Sequence, residues 1–564
     1  LSDAQTDIET LVENPCRHIE GVNCQPHPQI PLPVDLYGES RRNSRGWDLT
    51  DADTVAALGE LLEQQISHEW QAAAIVSGQD DGDALRSIVN PASRDEQLGS
   101  VREAGSAQVG QALSCAAAAA VSWDRQGGAF RADCLRRTAD LFEIQSEALL
   151  ARLIREGGRT LPDSVAELRE AVDYCRYYAW RAEEEFEQAQ VLPGPTGEHN
   201  ELQLHGRGVF ACISPWNFPL AIFVGQVAAA LAAGNTVLAK PARQTPLTAY
   251  LAIGLMHQAG IPPEVLHFLP GGGSAIGQQL FADSRLAGVA FTGSTETAWH
   301  IQRALAQRDG PIVPLIAETG GQNVMIADSS ALPEQLVVDV LQSAFNSAGQ
   351  RCSALRVLFV QQDIADTFLT LLQGAMEELR IGDPLLPDTD IGPLIDAQAV
   401  NALQPHVERM QREARLVQRM NLPPAMEGGS FFPPQVYELE SLTLLDKEVF
   451  GPILHVIRYR GDHLDRVVDA VNATGYGLTL GVHSRIESTW QLVSSRARVG
   501  NLYVNRNMIG AVVGAQPFGG EGLSGTGPKA GGPYYLHRFA TERTRSVNTA
   551  ALGGNTGLLS LSED

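Results

Sequence analysis

Residues 209–240 read VFACISPWNFPLAIFVGQVAAALAAGNTVLAK, and this stretch decides the fold class. The run VFACIS predicts a buried strand, the segment FPLAIFVGQVAAALAAG predicts a helix that ends at Gly234, and TVLAK predicts the next strand. Two further strands, VLHFLP at 265–270 and LAGVAF at 286–291, follow with a helical pattern between them. Strands that alternate with helices predict a parallel sheet with right-handed crossovers, as in doubly wound nucleotide-binding domains.

The sequence on either side of this stretch predicts further domains. Residues 51–190 carry apolar side chains at helical spacing and are predicted to be helical. A second α/β run begins near Pro314, and a third stretch of strands and helices covers 446–506. The first 50 residues are rich in Pro, Asn and Arg and predict an arm or linker. The chain begins at Leu1 rather than at Met, which favours a piece of a longer polypeptide.

The composition excludes several classes of protein. Of 564 residues, 44% are hydrophobic and 19% are charged, which is typical of globular chains and not of disordered, collagen-like or coiled-coil ones. The net charge of −24 argues against nucleic acid as a partner. Seven cysteines without a C-x-x-C pair indicate a reduced compartment. Because the sequence has no signal peptide and no apolar run that could span a bilayer, we expect a cytoplasmic protein without a membrane segment.

Three residues are candidates for covalent chemistry. Cys352 lies in NSAGQRCS at a predicted helix-to-strand junction, where the neighbouring Arg351 would lower the pKa of the thiol and favour a nucleophile. The alternative, an inert buried thiol, suits the other six cysteines better. Glu318 opens ETGG after a strand and is a candidate base, or else a surface carboxylate. Asn217 lies between two prolines and could stabilise an oxyanion or simply form a turn.

Other residues are candidates for binding a dinucleotide. Lys240 ends a predicted strand and could hold ribose hydroxyls, or be a solvated lysine. The turn PGGGSAIG at 270–277 fails the G-x-G-x-x-G pattern by one residue and is a weak signal. Residues FTGSTE at 291–296 open a helix whose free N–H groups suit a pyrophosphate, although Ser294 could be only an N-cap. The loop EVFGP at 448–452 could hold a ribose and a nicotinamide, or form a turn.

Seven motifs occur in one order: SPWNFP, KPAxxTP, FTGST, ETGG, GQRC, ExFGP and PFGGxGxSG. In this order they make residues 50–550 resemble the aldehyde dehydrogenase superfamily. The resemblance implies an α/β aldehyde dehydrogenase fold, with a Rossmann-like cofactor domain, an α/β catalytic domain and a β-flap for oligomerisation. The boundaries that we predict are an arm at 1–50, an NAD-binding domain at 51–189 and 208–313 with part of 480–506, a catalytic domain at 314–506, a flap at 190–207 and 535–549, and a tail at 550–564.

The resemblance also assigns roles to residues. It implies that Cys352 is the nucleophile, Glu318 the base and Asn217 the oxyanion donor, and it implies no metal. The residues that it predicts around the cofactor are Ser214, Pro215, Trp216, Lys240, Arg243, Gly273, Gly277, Phe291, Gly293, Ser294, Glu448 and Phe450. The family usually has a glutamate where this chain has Arg243, and an acid there would hold ribose hydroxyls and repel a 2′-phosphate. We therefore expect NAD as the cofactor, with NADP left open by Arg243.

A closer resemblance is to the L-glutamate γ-semialdehyde dehydrogenase half of bifunctional proline utilisation enzymes. It is carried by residues 317–334 and 510–520, and by the flanks 36–43 and 551–559. It implies NAD-dependent oxidation of glutamate γ-semialdehyde to glutamate through a cysteine thioester, the second step of proline catabolism. It also implies a homodimer and a longer chain with a flavin proline dehydrogenase domain that passes on its product by channelling.

The same resemblance implies a set of substrate-binding residues. The loop at Gly510–Ala511 would hold the substrate carboxylate, and Asp163 would hold the α-ammonium group. The predicted set is Arg351, Ser353, Gly510, Ala511, Phe518 and Asp163. Two alternatives remain: a dehydrogenase of another carboxylate-bearing semialdehyde, such as succinate semialdehyde, and a binding or structural protein that has lost activity.

Overall fold

The computed structural model describes residues 7–14, 16–17, 26–27 and 29–552. It divides into two compact units, with the boundary between Arg45 and Gly46. The first unit contains a short helix and a 3-10 turn, and the Arg41 guanidinium lies 3.6 Å from the centre of the Tyr37 ring. The arm predicted at 1–50 and the tail predicted at 550–564 fall partly outside the described residues, so both remain predictions.

The second unit contains all the described strands. They are β1 Trp70–Val76, β2 Gln79–Asp81, β3 Ala84–Asn90, β4 Ser93–Glu103, β5 Gln190–Leu192, β6 Glu198–Gly206, β7 Val209–Ile213, β8 Thr236–Lys240, β9 Leu266–Phe268, β10 Leu286–Thr292, β11 Leu315–Glu318, β12 Val324–Ala327, β13 Val357–Gln361, β14 Arg415–Arg419, β15 Gln435–Leu439, β16 Ile453–Tyr459, β17 Tyr476–Gly477, β18 Thr479–His483, β19 Asn501–Val504, β20 Glu521–Gly522 and β21 Ala540–Asn548.

The α-helices of the described residues are α1 Ile8–Leu11, α2 Ala52–Ile66, α3 Ser106–Asp124, α4 Gly127–Ile144, α5 Ser146–Gly157, α6 Leu161–Phe186, α7 Ala221–Ala232, α8 Pro246–Gln258, α9 Gly273–Ala282, α10 Thr295–Gln307, α11 Pro333–Phe345, α12 Gln362–Glu377, α13 Ala397–Glu413, α14 Leu464–Ala473, α15 Glu487–Arg496 and α16 Tyr535–Phe539. None of the helices in the described part of the chain is long and apolar enough to cross a membrane.

The four strands predicted from residues 209–291 form the centre of a nine-stranded sheet. Its order is β11-β10-β7-β8-β9-β1-β4-β3, with β2 paired to β1. Strands β7 to β11 run parallel, and the register aligns Ile213 with Lys240 and Thr292 with Glu318. The predicted parallel α/β sheet is confirmed. Because the carboxyl ends of parallel strands share one edge, Lys240 and Glu318 lie along the same edge of the sheet.

Two predictions about this sheet are wrong. Residues 70–103 are not helical but form β1 to β4, because β1 pairs with β2 and β3 pairs with β4 as antiparallel neighbours, and β1 then pairs with β4 and β9 to join the sheet. Gly99 permits this pairing, since a Cβ there would lie 1.8 Å from the Trp70 carbonyl oxygen. Strand β11 does not open the second α/β run, because it pairs with β10 and so belongs to the first sheet.

A second sheet of seven strands has the order β14-β15-β16-β13-β12-β18-β19. All its neighbours are parallel except β14 and β15. We predicted that part of 480–506 joins the first domain, but β18 and β19 pair with β12 and with each other in this second sheet. A run of apolar residues shows that a strand is buried but not which sheet it enters, and this accounts for the error.

The segments predicted to form a flap contain β5, β6 and β21, which make a separate antiparallel sheet. The β6–β21 pairing runs without a break from Gly206–Ala540 to Glu198–Asn548. Asp124 holds the base of this sheet, accepting from the Gly206 backbone N–H and lying 2.8 Å from the His205 ring. Its role in dimer formation remains a prediction.

The long helix α6 carries a buried ion pair. Arg159, just before the helix, lies 2.6 Å from Glu167, and both side chains are almost fully buried. The other Glu167 oxygen accepts from the backbone N–H groups of Leu220 and Ala221, where α7 begins. Two buried charges are tolerated here because each is paired and the carboxylate also satisfies free N–H groups at a helix start.

Replacing Glu167 with alanine should therefore destabilise the fold strongly. The change leaves the Arg159 charge unpaired in the core, which typically costs about 3–5 kcal/mol. Urea-induced unfolding followed by circular dichroism measures the loss. Asp388→Ala is a matched control, because its ion pair with Arg380 is exposed and should contribute at most about 1 kcal/mol. Equal losses in the two variants would contradict this account of the buried pair.

Candidate active site

Cys352 lies in a strained turn between α11 and β13. Ser347 and Ala348 both have φ of +53°, a backbone region that side chains other than glycine rarely adopt. The Asn323 side-chain amide donates to the Cys352 carbonyl at 2.6 Å and to the Ala354 carbonyl at 2.9 Å. Cys352 itself is half-buried. The hydrogen bonds from Asn323 thus hold the turn in one conformation, with the thiol at the edge of the second sheet.

The pKa of the Cys352 thiol is raised to about 12, chiefly by burial and then by the negative charges of Glu318 and Glu448. The prediction that the Cys352 thiol has a lowered pKa is wrong, although Arg351 does act in the predicted direction. Its guanidinium makes an ion pair with Asp163 at 2.9 Å, and its opposing effect on the thiol is smaller than that of burial and the two carboxylates. At neutral pH the sulfur therefore keeps its proton, and it needs a base to become a nucleophile.

Glu318 ends β11, and its carboxylate can serve as that base. Its Oε1 is buried without a hydrogen-bond partner among the described residues. Burial raises the pKa of Glu318 to about 8, with Lys529 opposing the shift and the charge of Glu170 adding to it. Gly519 leaves room for the carboxylate, because a Cβ there would lie 2.9 Å from Oε1. An acid with a pKa near 8 can both take and return a proton in the physiological range.

Asn217 comes close to the same turn from the first sheet. It follows β7, is 8% exposed, and donates from Nδ2 to the Gln350 carbonyl at 3.0 Å. Its own carbonyl accepts from the Arg159 guanidinium at 2.6 Å. The second N–H of the Asn217 amide can be directed at an oxyanion. The structure thus brings Asn217, Glu318 and Cys352 to one place, although they come from three separate segments.

A cavity of about 700 Å³ borders the loop that carries Asn217 and the loop at 446–450, although Cys352, Glu318 and Asn217 do not themselves line it. Trp216, Glu448 and Phe450 all line it, and the Trp216 and Phe450 rings meet edge to face at 5.6 Å. Arg356 fixes the Glu448 carboxylate with an ion pair at 3.0 Å. Gly320 permits the approach of that carboxylate, since a Cβ there would lie 1.8 Å from it. Three residues predicted to bind a cofactor therefore share one cavity.

The far end of the predicted cofactor site is built around Lys240. This lysine is 4% exposed, and burial lowers its pKa to about 8. Its ammonium donates to the Pro241 carbonyl at 3.0 Å. The neighbouring Ser214 hydroxyl is buried and has no hydrogen-bond partner in the described part of the chain. A buried amine beside an unpartnered hydroxyl fits the hydroxyl groups of a nucleotide sugar, so these residues suit a dinucleotide.

Three predicted site residues have other contacts. Gly277 is buried within α9, where a Cβ would lie 3.0 Å from the Phe281 ring, and its place at the cofactor remains a prediction. Ser294 caps α10 by accepting from the Thr297 backbone N–H at 3.2 Å, and its binding of a pyrophosphate remains a prediction. Asp163 is 4% exposed, with one oxygen on Arg351 and the other on Ser347. It is therefore not placed to hold an α-ammonium group, and this prediction is wrong.

Glu170 belongs to no motif and was not among the predicted residues, yet it lies on the site-facing side of α6. Burial and the neighbouring Glu167 raise the pKa of Glu170 to about 7, while the charges of Arg351 and Arg159 and a hydrogen bond from Tyr174 oppose the shift. The negative charge of Glu170 in turn acts on Glu318. The signal was present in the spacing of residues 163, 167, 170, 174 and 178, which places acids and tyrosines on one helix face.

The model of the Aldehyde dehydrogenase family matches residues 77–545 of this sequence. The chain belongs to the aldehyde dehydrogenase family. Among the relatives of this aldehyde dehydrogenase, the bifunctional protein PutA of Klebsiella aerogenes is 50% identical over 97% of the chain, which spans 42% of that protein's length. The 1-pyrroline-5-carboxylate dehydrogenase of Geobacillus thermodenitrificans is 35% identical over 86% of the chain and 95% of its own length.

Solved structures of related proteins superpose on this aldehyde dehydrogenase over most of its length. A proline utilization A variant from Bradyrhizobium japonicum has a TM-score of 0.87 at 50% identity and covers 98% of the chain, which covers 53% of that protein. A 1-pyrroline-5-carboxylate dehydrogenase from Thermus with bound NAD has a TM-score of 0.85 at 30% identity, covering 93% of this chain and 100% of its own. Membership of the family implies a nicotinamide cofactor.

The pKa of Glu318 predicts the pH dependence of aldehyde oxidation. Below pH 8 the carboxylate is largely protonated and cannot accept a proton, so kcat/KM should increase as the pH rises through about 8. Steady-state rates between pH 6 and 10 measure this. Glu318→Gln should remove the rise and most of the activity. A wild-type profile that is flat across pH 8 would show that Glu318 is not the base.

Asn217→Ala should lower kcat for aldehyde oxidation by roughly 100- to 1,000-fold, the usual effect of losing one oxyanion donor. Steady-state kinetics with a small aldehyde measures the loss. Gln322→Ala is a control, because it too removes a buried side-chain amide that donates to a backbone carbonyl, here that of Leu445. A loss in Asn217→Ala no larger than that in the control would contradict the role of Asn217.

Proposed function

We propose that this chain oxidises L-glutamate γ-semialdehyde to L-glutamate with NAD. The observation that carries the proposal is the convergence of the Cys352 thiol, the Glu318 carboxylate and the Asn217 amide beside a cavity lined by Glu448. The relatives support the choice of substrate, since two proteins named 1-pyrroline-5-carboxylate dehydrogenase match over nearly their whole length.

The proposed chemistry uses one base twice. Glu318 accepts the thiol proton, and the Cys352 sulfur forms a bond to the aldehyde carbon. The oxyanion accepts hydrogen bonds from the Asn217 amide and the Cys352 backbone N–H. A bound nicotinamide would supply the hydride acceptor. Glu318 passes the thiol proton on to solvent, so that once the carbon is oxidised to a thioester the carboxylate can take a proton from water, which attacks the thioester carbon. The departing thiolate regains a proton from Glu318, and the carboxylic acid product loses its own proton to solvent.

The substrate has an α-carboxylate and an α-ammonium group, and each needs partners of opposite charge or polarity in the site. We propose that Ser353 and the backbone of Gly510–Ala511 hold the carboxylate, with Phe518 against the stem. Positive charge is close to this loop, because the Arg506 guanidinium lies 3.0 Å from the point where a Cβ on Gly510 would be. Glu170 replaces Asp163 as our candidate for the α-ammonium group, since it is only half-buried.

The wider setting is part of the same proposal. The relatives called bifunctional are more than twice as long as this chain, which spans 42% of the Klebsiella aerogenes protein. We propose that the chain performs the second step of proline catabolism, as a cytoplasmic homodimer, and receives its substrate from a flavin proline dehydrogenase domain. The antiparallel pairing of β5, β6 and β21 supports a dimer that forms through these strands.

The substrate proposal is tested by steady-state NADH production with glutamate γ-semialdehyde and with succinate semialdehyde, which lacks the amino group. We expect kcat/KM to favour glutamate γ-semialdehyde by at least about tenfold, because an ammonium–carboxylate pair inside a pocket is worth this much or more. Glu170→Gln should raise KM for glutamate γ-semialdehyde and leave KM for succinate semialdehyde nearly unchanged.

Two outcomes would decide against the proposal. Faster turnover of succinate semialdehyde by the wild type would favour the second semialdehyde function. Undiminished NADH production by Cys352→Ala, whose sulfur is absent, would show that the oxidation does not use this thiol. Ser164→Ala is a control for Glu170→Gln, because it changes a fully buried hydroxyl on the same helix.

A further inference from the structure

Arg243 does not extend freely into the cofactor site. Its guanidinium Nε donates to the Glu103 carboxylate at 3.2 Å, and Glu103 ends β4, far from Arg243 in sequence. Arg86, on the neighbouring strand β3, donates to the same carboxylate oxygen at 2.5 Å. Arg86 also donates to the Arg243 backbone carbonyl at 2.5 Å. One carboxylate thus holds two guanidinium groups together.

This cluster lies against the predicted adenosine end of the cofactor site. The Ala104 backbone N–H donates to the Pro270 carbonyl at 2.8 Å, which ties the end of β4 to the glycine-rich turn. A Cβ on Gly271 would lie 3.5 Å from the Glu103 Cβ, and one on Gly273 would lie 4.0 Å from Lys240. The Lys240 ammonium is close enough for the charges of Glu103 and Arg243 both to act on it.

The charges at this point would favour a phosphate if Glu103 were absent. Arg86, Arg243 and Lys240 would together present three positive charges to the ribose end of a dinucleotide. With Glu103 in place, its side chain 15% exposed, two of these cations are already paired. A 2′-phosphate would meet a carboxylate, and it would have to displace that carboxylate to reach either guanidinium.

We propose that Glu103 determines a preference for NAD over NADP in this chain, by neutralising Arg86 and Arg243 and by offering the ribose a carboxylate beside Lys240. The inference rests on the proposed function only for the location of the cofactor. In the usual family pattern an acid at position 243 holds the ribose hydroxyls and repels a 2′-phosphate. In this chain we assign that role to Glu103, which lies on β4. Arg243 then pairs with Glu103 and does not bind the 2′-phosphate of NADP.

The test compares NAD and NADP with Glu103→Gln, which keeps the size of the side chain and removes its charge. Glu438→Gln is a matched control, because the Glu438 carboxylate also joins two arginines, Arg415 and Arg458, but in the second sheet. Calorimetric titration with each dinucleotide, without aldehyde, gives the two dissociation constants. Steady-state kinetics with each dinucleotide gives the ratio of kcat/KM values.

We expect the wild type and Glu438→Gln to favour NAD. In Glu103→Gln the NADP/NAD ratio should increase at least about tenfold in both measurements, because two guanidinium groups become available to the 2′-phosphate. Adding Arg243→Leu to Glu103→Gln should reverse most of that gain. Arg243→Leu alone leaves Glu103 paired with Arg86 and should not raise the NADP/NAD ratio above that of the wild type.

The inference is overturned if the wild type favours NADP, or if the ratio in Glu103→Gln shifts no more than in Glu438→Gln. If Glu103→Gln does not fold, the affinities of Arg243→Leu for NADP and NAD test the inference instead. NADP affinity that falls at least about tenfold in this variant while NAD affinity holds would show that Arg243 binds the 2′-phosphate in the wild type, contrary to the inference. Failure of the proposed function can be told apart from failure of this inference. The calorimetric titration contains no aldehyde, so the NADP/NAD affinity ratio of Glu103→Gln can change even if the protein does not oxidise the semialdehyde.

Discussion

The site depends on one helix, because α6 makes polar contacts with three separate loops. Asp163 pairs with Arg351 in the turn before Cys352, and Glu167 accepts from the N–H groups that follow the Asn217 loop. Near the other end, the Tyr178 hydroxyl accepts from the Gly531 backbone N–H at 2.9 Å, in the segment after the Phe518 loop. A misplacement of this helix would therefore separate the nucleophile, the oxyanion donor and the loop proposed to bind substrate.

Burial gives the two reacting groups their chemistry. It raises the pKa of both Cys352 and Glu318, so the thiol becomes a thiolate only when a Glu318 that has already lost its own proton takes the thiol proton. A thiolate stabilised permanently by Arg351 would be a better leaving group and a weaker nucleophile. Arg351 is paired with Asp163, and its effect on the thiol is outweighed by burial and by the charges of Glu318 and Glu448, which is consistent with a sulfur that is activated only when the base takes its proton.

The sequence predicted the strands that are apolar runs, but not which strands pair or which polar stretches form strands. Asn217 and Glu318 stand at the carboxyl ends of β7 and β11, so one parallel sheet brings these two towards the same edge, whereas Cys352 precedes β13 and comes from the second sheet. The strands β2 to β4 are mostly exposed and carry no apolar run that would mark them as strands, and nothing in the sequence of β11 shows that it pairs with β10 rather than entering the second sheet. Glu170 carries no motif of its own, and only the path of α6 shows which groups it meets.

Cofactor preference also depends on a contact that the sequence does not reveal. A motif compares one position at a time, and at position 243 it finds an arginine where an acid is usual. What a bound ribose meets is the sum of charges near that point, and Glu103 contributes to that sum from β4 through a contact that no spacing rule contains. A substitution that reverses the charge at one position can therefore be offset by a carboxylate from a different strand. Specificity is then a property of the cluster, since removing either arginine or the acid changes the field that the others create.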